Sequence, residues 1–221
     1  MRRYLPFIIV ALVGLITLAS GTMLYRAKRV ALSPASKVHR GMERRGEKLG
    51  HILGKSDAPV VLEEFGDFEC PPCGNLSDPI NQLERDYHGR LCVIFHNFPL
   101  ANHQHARDAA LAAEAAGLQD RFWQMHDVLY REQTLWSKAA DVRSLFKAYA
   151  GTIGANVAQF EKDIDSEEVK RHVAADQQQG AVMGVSTTPT IFVNDQLVPV
   201  PQLNPAGLRA AIDAALKEKA R

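Results

Sequence analysis

The sequence predicts an α/β fold in which a β-α-β unit and a β-β-α unit are separated by a block of helices. Three observations carry that reading. Short apolar, β-branched runs at 60–65 and 91–98 flank an amphipathic stretch, so a strand, a helix and a strand follow one another. Residues 103–183 then show no strand signal, only a succession of alanine-rich helical patterns. Last, two short runs at 190–193 and 197–200 surround Asn194-Asp195-Gln196, a hairpin signal, and lead into a final amphipathic stretch, Pro205 to Lys219.

The 221 residues suit one ordinary globular domain with an appendage. Residues 1–4 are a short basic tail, and residues 5–25 carry no charge and are rich in Ile, Val and Leu. At about 1.5 Å per helical residue this stretch spans a ~30 Å hydrocarbon core, so it is expected to be one N-terminal transmembrane helix. A cleaved secretory signal is the alternative, with Ala19-Ser20-Gly21 as its site, but apolar sequence continues through Met23-Leu24-Tyr25 and favours an uncleaved anchor. Basic residues flank it on both sides (Arg2 and Arg3, then Arg26, Lys28 and Arg29), so charge alone does not orient it. Net charge is +1 overall, yet five basic and no acidic residues lie in 1–29, leaving a body with net charge −4. A mildly acidic body argues against a nucleic-acid partner.

Residues 26–50 are polar and basic with Ser33-Pro34, the composition of a linker. A first half at 51–102 opens with a short edge strand, His51 to Gly54, and a turn through Lys55 to Pro59. Leu76, Ile80, Leu83 and Tyr87 give the helix over 73–87 its apolar face, with a kink expected at Pro79. Within the insertion, helices are expected at 103–117, 119–131, 139–150, 156–163 and 166–182. Residues 184–221 form the second half. No internal repeat is visible.

Chemistry concentrates at Cys70-Pro71-Pro72-Cys73, just after the first buried strand. A C-x-x-C pair at a helix start puts two sulfurs on one turn, close enough to close a disulfide, where the positive dipole end favours a thiolate. Zinc sites share this spacing, but tetrahedral zinc wants two further ligands. The only other cysteine, Cys92, sits in an apolar strand and reads as a core thiol. A copper-handling module would pair the thiols with a histidine, and none stands at ligand spacing. No metal site and no cofactor are therefore expected. His96, His103, His105 and His126 read as caps or core histidines, and Trp123 and Trp136 as core of the insertion.

Four separated stretches, Glu64-Phe65-Gly66-Asp67-Phe68-Glu69-Cys70-Pro71-Pro72-Cys73, Asn97-Phe98-Pro99-Leu100, Phe122-Trp123-Gln124-Met125-His126-Asp127 and Gly184-Val185-Ser186-Thr187-Thr188-Pro189-Thr190, occur in the order found in one family. Together they resemble the DsbA-like thiol:disulfide oxidoreductases of the thioredoxin superfamily, over about residues 50–218. The resemblance implies a thioredoxin fold interrupted by a helical domain. It implies Cys70 as exposed nucleophile and Cys73 as buried resolving thiol, forming a redox-active Cys70–Cys73 disulfide. Pro189 matches a loop proline that is cis, with Thr188 offering backbone atoms to a substrate peptide, and Pro71 and Pro72 on the substrate side. Glu64 matches a buried acid beneath the dithiol, a candidate proton acceptor for Cys73; strand alternation alone would turn one of Glu63 and Glu64 to solvent. The departure is Pro72, where strongly oxidising members have histidine. Two consecutive prolines supply neither backbone N–H groups nor a cation to a Cys70 thiolate, which lowers oxidising power.

The expected protein is a single-pass, membrane-anchored oxidoreductase of the inner membrane with its catalytic domain in the periplasm. It would exchange disulfides with protein cysteines as a dithiol oxidase, reset by a membrane or soluble redox partner. A reductase or isomerase is the alternative, and a copper chaperone the non-enzymatic one.

Overall fold

A computed structural model describes residues 50–220 of the chain. The expected anchor at 5–25 and the linker up to residue 49 lie outside the described residues. Among the described residues, no helix is long and apolar enough to cross a membrane.

The strands are β1 (His51–Gly54), β2 (Val60–Gly66), β3 (Leu91–Asn97), β4 (Thr190–Val193) and β5 (Gln196–Leu197). Helix α1 (Pro71–Asp86) links β2 to β3. Helices α2 (Ala106–Gly117), α3 (Phe122–Arg131), α4 (Gln133–Trp136), α5 (Val142–Thr152), α6 (Val157–Asp163) and α7 (Glu167–Val182) form the insertion, and α8 (Pro205–Lys219) closes the fold. The sheet order is β1-β3-β2-β4-β5, with β2 parallel to β3 and every other pairing antiparallel. This is an α/β thioredoxin-like fold with a helical insertion. β2 and β3 are central and buried almost throughout, which is why both read as continuous apolar runs rather than alternating ones.

Helix α4 (Gln133–Trp136) lies outside every expected helix, and two further elements differ from the sequence reading, each for a local reason. Helix α1 begins at Pro71, not Cys73, because Pro71 and Pro72 occupy its first two positions, where a missing N–H breaks no helical bond and the fixed φ suits the helix. The fifth strand spans Gln196–Leu197 rather than 197–200. Val198 still donates to Ile191 O at 2.8 Å, but Pro199 and Pro201 cannot donate, and Val200–Gln202 turns into a 3-10 helix. The hairpin itself forms at Asn194 and Asp195, both at positive φ (45° and 64°), the requirement of a tight two-residue turn. Asn194 also ties it to β2, accepting from the Val61 N–H at 2.9 Å and donating its own N–H to Val61 O at 2.9 Å.

Two apolar cores result. One lies between the sheet and the pair α1 and α8, built on Val60, Leu62, Ile80, Leu83, Leu208 and Ile212. The other fills the insertion, where the buried alanines of α2 let neighbouring helices approach closely around Phe146, Trp136 and Phe160. Cys92 is walled into a smaller cluster with Ala58 and Ile94, and burial pushes its thiol pKa up to about 11.

Sheet and insertion are joined by buried charge. Asp176 on α7 accepts the Asn97 N–H at 2.8 Å and meets His96 Nδ1 at 3.1 Å, while His96 Nε2 lies 3.4 Å from Glu63. Glu114 on α2 accepts from Asn97 Nδ2 at 2.7 Å and pairs with His51 at 2.8 Å and His172 at 3.2 Å. Burial alone would raise the Glu114 pKa, yet the hydrogen bonds with His172 and His51 outweigh it and hold the group down at about 2. A depressed carboxylate contributes stability above its unfolded pKa of 4.5 that is lost as pH falls toward 2. Glu114→Gln should therefore cost on the order of 3 kcal/mol near pH 6 in thermal or denaturant unfolding, with the gap to the unsubstituted chain closing toward pH 2.

Candidate active site

Cys70 is the N-cap of α1, with φ −77° and ψ 115°, and its carbonyl accepts the N–H groups of Cys73 (3.1 Å) and Gly74 (3.2 Å). All three cysteines are free thiols. The Thr188–Pro189 bond is cis and brings the Thr188 carbonyl to 3.3 Å from the Cys70 thiol, which donates to it. Cys70, expected as the exposed thiol, is only 4% exposed, because its sulfur is turned onto this loop; Cys73 is fully buried, while Pro71 and Pro72 are exposed.

The pair is electrostatically unequal. A hydrogen bond from the Cys73 thiol holds the Cys70 pKa down at about 6 from an ordinary 9.0, helped by Thr188 and the Cys73 N–H and opposed by burial and the Asp67 carboxylate. The Cys73 thiol is pushed well above its ordinary value by burial, by the same hydrogen bond that it donates, and by the charge of Glu64. Thiolate stabilisation thus survives two consecutive prolines, because it comes mainly from the partner thiol rather than from free helix N–H groups.

Glu64 and its neighbour Glu63 are both buried, against simple strand alternation, since helices cover both faces of β2. Burial, then the charge of Cys70, pushes the Glu64 pKa up to about 8, and its Oε1 has no hydrogen-bond partner among the described residues.

Further residues frame the site: Gly66, Asp67 and Glu69 lie in the stretch before Cys70, whereas Gln133 carries no signal in its local sequence. Asp67, 1% exposed, accepts the N–H groups of Glu69 (2.7 Å) and Leu100 (2.8 Å) and meets His103 Nδ1 at 2.7 Å. Glu69 Oε2 accepts the His105 N–H at the start of α2 at 2.6 Å. Together these carboxylates bolt the segment before Cys70 to the first residues of the insertion. Gln133 of α4 donates through Nε2 to Phe68 O at 2.7 Å and to Cys70 O at 3.0 Å. Gly66 must be glycine, since a Cβ there would lie 2.4 Å from the Phe95 ring and 3.0 Å from the Tyr130 hydroxyl.

The candidate histidines divide. His96 is buried; burial would lower its pKa, but the hydrogen bonds with Asp176 and Glu63 raise it to about 9. His126 is enclosed by Phe68, Phe95, Trp123 and Tyr130, and burial lowers its pKa despite Asp127. Trp136 is core, whereas Trp123 is partly buried and donates to Ile52 O at 2.9 Å. Among the described residues, no three His, Cys, Asp or Glu side chains converge as a metal ion requires, so the geometry adds no ligand to the two thiols.

The family model for thioredoxin (Thioredoxin_4) matches residues 47–214. The chain belongs to the thioredoxin family. Within it the chain is of the DsbA-like kind, carrying the helical insertion between the two halves of the sheet. The solved structure of oxidised BdbD from Bacillus subtilis, 28% identical, superposes with a TM-score of 0.68 over 76% of this chain and 93% of that one. The probable disulfide bond formation protein D of Bacillus anthracis is 33% identical over 180 residues, covering 75% of this chain and 78% of that protein. A Na(+)/H(+) antiporter NhaA 1 of Mycolicibacterium gilvum is 37% identical over 149 residues, 65% of this chain but 23% of the antiporter. This thioredoxin-family chain thus spans under a quarter of the length of the antiporter relatives that it matches. The thiol-disulfide exchange protein α-DsbA2 of Wolbachia pipientis, 18% identical, shares the fold with a TM-score of 0.67.

Glu64 gives a direct check on the site's electrostatics. Unfolded, it ionises above pH 4.5; folded, it keeps its proton to about pH 8, so across that interval its burial costs stability that grows with pH. Glu64→Gln should leave stability unchanged below pH 4.5 and raise that of the reduced protein progressively up to pH 8, by as much as about 4 kcal/mol, in melts followed across pH.

Proposed function

We propose that this chain is a thiol:disulfide oxidoreductase that oxidises protein dithiols through Cys70 and Cys73. The observation that carries the reading is the inequality of the two thiols: Cys70 ionises near pH 6 at the mouth of the cis-proline loop, while Cys73 stays protonated beneath it. A thiol of low pKa is a good leaving group, so a mixed disulfide that expels Cys70 as thiolate resolves readily, and the protein disulfide readily accepts two electrons from a substrate dithiol.

In the oxidising direction a substrate thiolate attacks the Cys70 sulfur, the Cys70–Cys73 bond breaks, and a mixed disulfide forms at Cys70 while Cys73 takes up a proton. A second substrate thiolate attacks the mixed disulfide, forms the substrate disulfide and expels Cys70 as thiolate. Two electrons and two protons leave the substrate, and a membrane or soluble redox partner removes them to restore the Cys70–Cys73 disulfide. In that resetting step, and in escape from a stalled mixed disulfide, Cys73 must lose its proton, and Glu64, whose pKa near 8 leaves a minor ionised fraction at neutral pH, is the group that takes it through that fraction. Thr188 offers its carbonyl, which the Cys70 thiol occupies in the free protein, to the backbone of a bound peptide, with Pro189, Pro71 and Pro72 as the surrounding surface.

Residues 5–25 act in this reading as an uncleaved anchor in the inner membrane, residues 26–50 as tether, and the domain works in the periplasm. A reductase or isomerase role is the second reading, favoured by Pro72, which places no cation beside Cys70. The direction is tested by equilibrating the protein against glutathione. A constant in the range of the strongly oxidising couples, with Pro72→His moving it further that way, supports the oxidase; a value near the reducing cytosolic couples gives the second reading. Cys73→Ser should accumulate mixed disulfides through Cys70 that Cys70→Ser abolishes, seen as reductant-sensitive adducts on non-reducing gels. An absence of adducts in Cys73→Ser together with no Cys70–Cys73 disulfide on oxidation would overturn the oxidoreductase reading.

A further inference from the structure

Gln133 is the residue of the insertion that touches the backbone of the dithiol itself. It is 8% exposed, on the four-residue helix α4, and its Nε2 donates to the carbonyls of Phe68 and Cys70 at 2.7 and 3.0 Å. Two carbonyl acceptors can be met only by a donor, so the orientation of the amide is fixed by its partners. That leaves Oε1 over α1, where a Cβ on Gly74 would lie 3.1 Å from it. The Cys70 carbonyl thereby receives three donors: the Cys73 and Gly74 N–H groups from its own helix, and the Gln133 amide from a segment more than sixty residues away.

The need for such a donor follows from the two prolines. An ordinary N-cap is held by its side chain accepting from the second or third helical N–H. Here Pro72 has no N–H, the Cys70 thiol makes no cap hydrogen bond, and the Cys73 N–H, which favours a Cys70 thiolate, is the one cap donor left. The conformation of Cys70 is therefore fixed through its carbonyl and through the residues before it. Phe68 is held by Gln133, and Asp67 accepts the Cys70 N–H at 3.1 Å. Rotation about the Cys70 backbone would swing its sulfur away from Cys73 and from the Thr188 carbonyl together.

We infer that Gln133 is a positioning residue for the dithiol: by clamping the Phe68 and Cys70 carbonyls from the insertion, it holds the Cys70 sulfur against Cys73 and Thr188. The helical insertion then tunes the reactivity of Cys70 as well as covering it, and exchange at Gly74 acts on the same clamp. The inference rests on the oxidoreductase reading for its consequence, but not for its test.

The test uses the full chain and the variants Gln133→Met and Gly74→Ala. Methionine keeps the length and loses the donor. Alanine improves helix propensity while pressing on the Gln133 amide, so stability and positioning move in opposite senses. Cys70 is titrated in the reduced proteins by thiolate absorbance; Cys73 and Cys92 titrate far above it. Starting from about 6, the Cys70 pKa should rise by about one unit in Gln133→Met and by less in Gly74→Ala. Less thiolate at pH 7 weakens the reduced form, so the glutathione equilibrium of Gln133→Met should shift about fivefold toward its disulfide. A rise in Gly74→Ala without loss of melting temperature separates positioning from general loosening. Variants that melt lower but titrate like the unsubstituted chain would overturn the inference, as would an unchanged pKa in Gly74→Ala should Gln133→Met fail to fold. If no Cys70–Cys73 disulfide forms in any protein, the oxidoreductase reading falls, while the titration still decides the part played by Gln133.

Discussion

The geometry of the site depends on one constraint: the sulfur of Cys70 must be aimed by groups that its own helix cannot supply. Pro71 and Pro72 pre-set the first turn of α1 but remove the N–H of its second residue, leaving that of Cys73, which donates to the Cys70 carbonyl. What the helix lacks is supplied by two distant segments and by the turn just before it. The cis-proline loop gives the Thr188 carbonyl, α4 gives the Gln133 amide, and the turn after β2 gives Asp67. The insertion and the thioredoxin-like halves therefore cannot be regarded as a catalytic unit with a decorative cover, because the reacting atom sits at their junction and belongs to the insertion's apolar core.

The buried carboxylates divide into two kinds by the same logic. Glu114 and Asp176 are met by histidines and by Asn97, so their charge holds the sheet to α2 and α7. Glu64 is equally buried, yet one of its oxygens has no partner and its proton is held to about pH 8. Charge that is paired binds elements together; charge left unpaired costs stability and is available for moving protons. The paired acids thus stand on helices of the insertion and Glu64 on β2, and what reaches each of them from across the fold sets them apart.

Much of this was legible in the chain, for reasons that lie in local periodicity. β2 and β3 announce themselves because strands covered on both faces carry apolar runs, Val60 to Leu62 and Leu91 to Phe95, and the alanine-rich runs of the insertion follow from close helix packing. Cys70 and Cys73 stand out because C-x-x-C spacing is itself the chemistry. β5 is shorter than the expected 197–200 because Pro199 and Pro201 cannot join a ladder. α1 starts two residues before the stretch that its apolar spacing marks from Cys73, because prolines suit the first turn of a helix. Gln133, Asp176 and Glu114 left no such trace. Each is an ordinary polar residue in a helical pattern, and its meaning comes from a partner 17 to 80 positions away in sequence.

Cys92 bears on how selective such a protein can be. An exchange catalyst with several reachable thiols risks closing a disulfide with itself or presenting two landing points to one substrate. Here the third thiol is 1% exposed among Ala58 and Ile94, with its ionisation pushed to about pH 11. Its burial and suppressed ionisation keep it out of the proposed exchange, in which Cys70 is then the one thiol where a mixed disulfide with a partner would form.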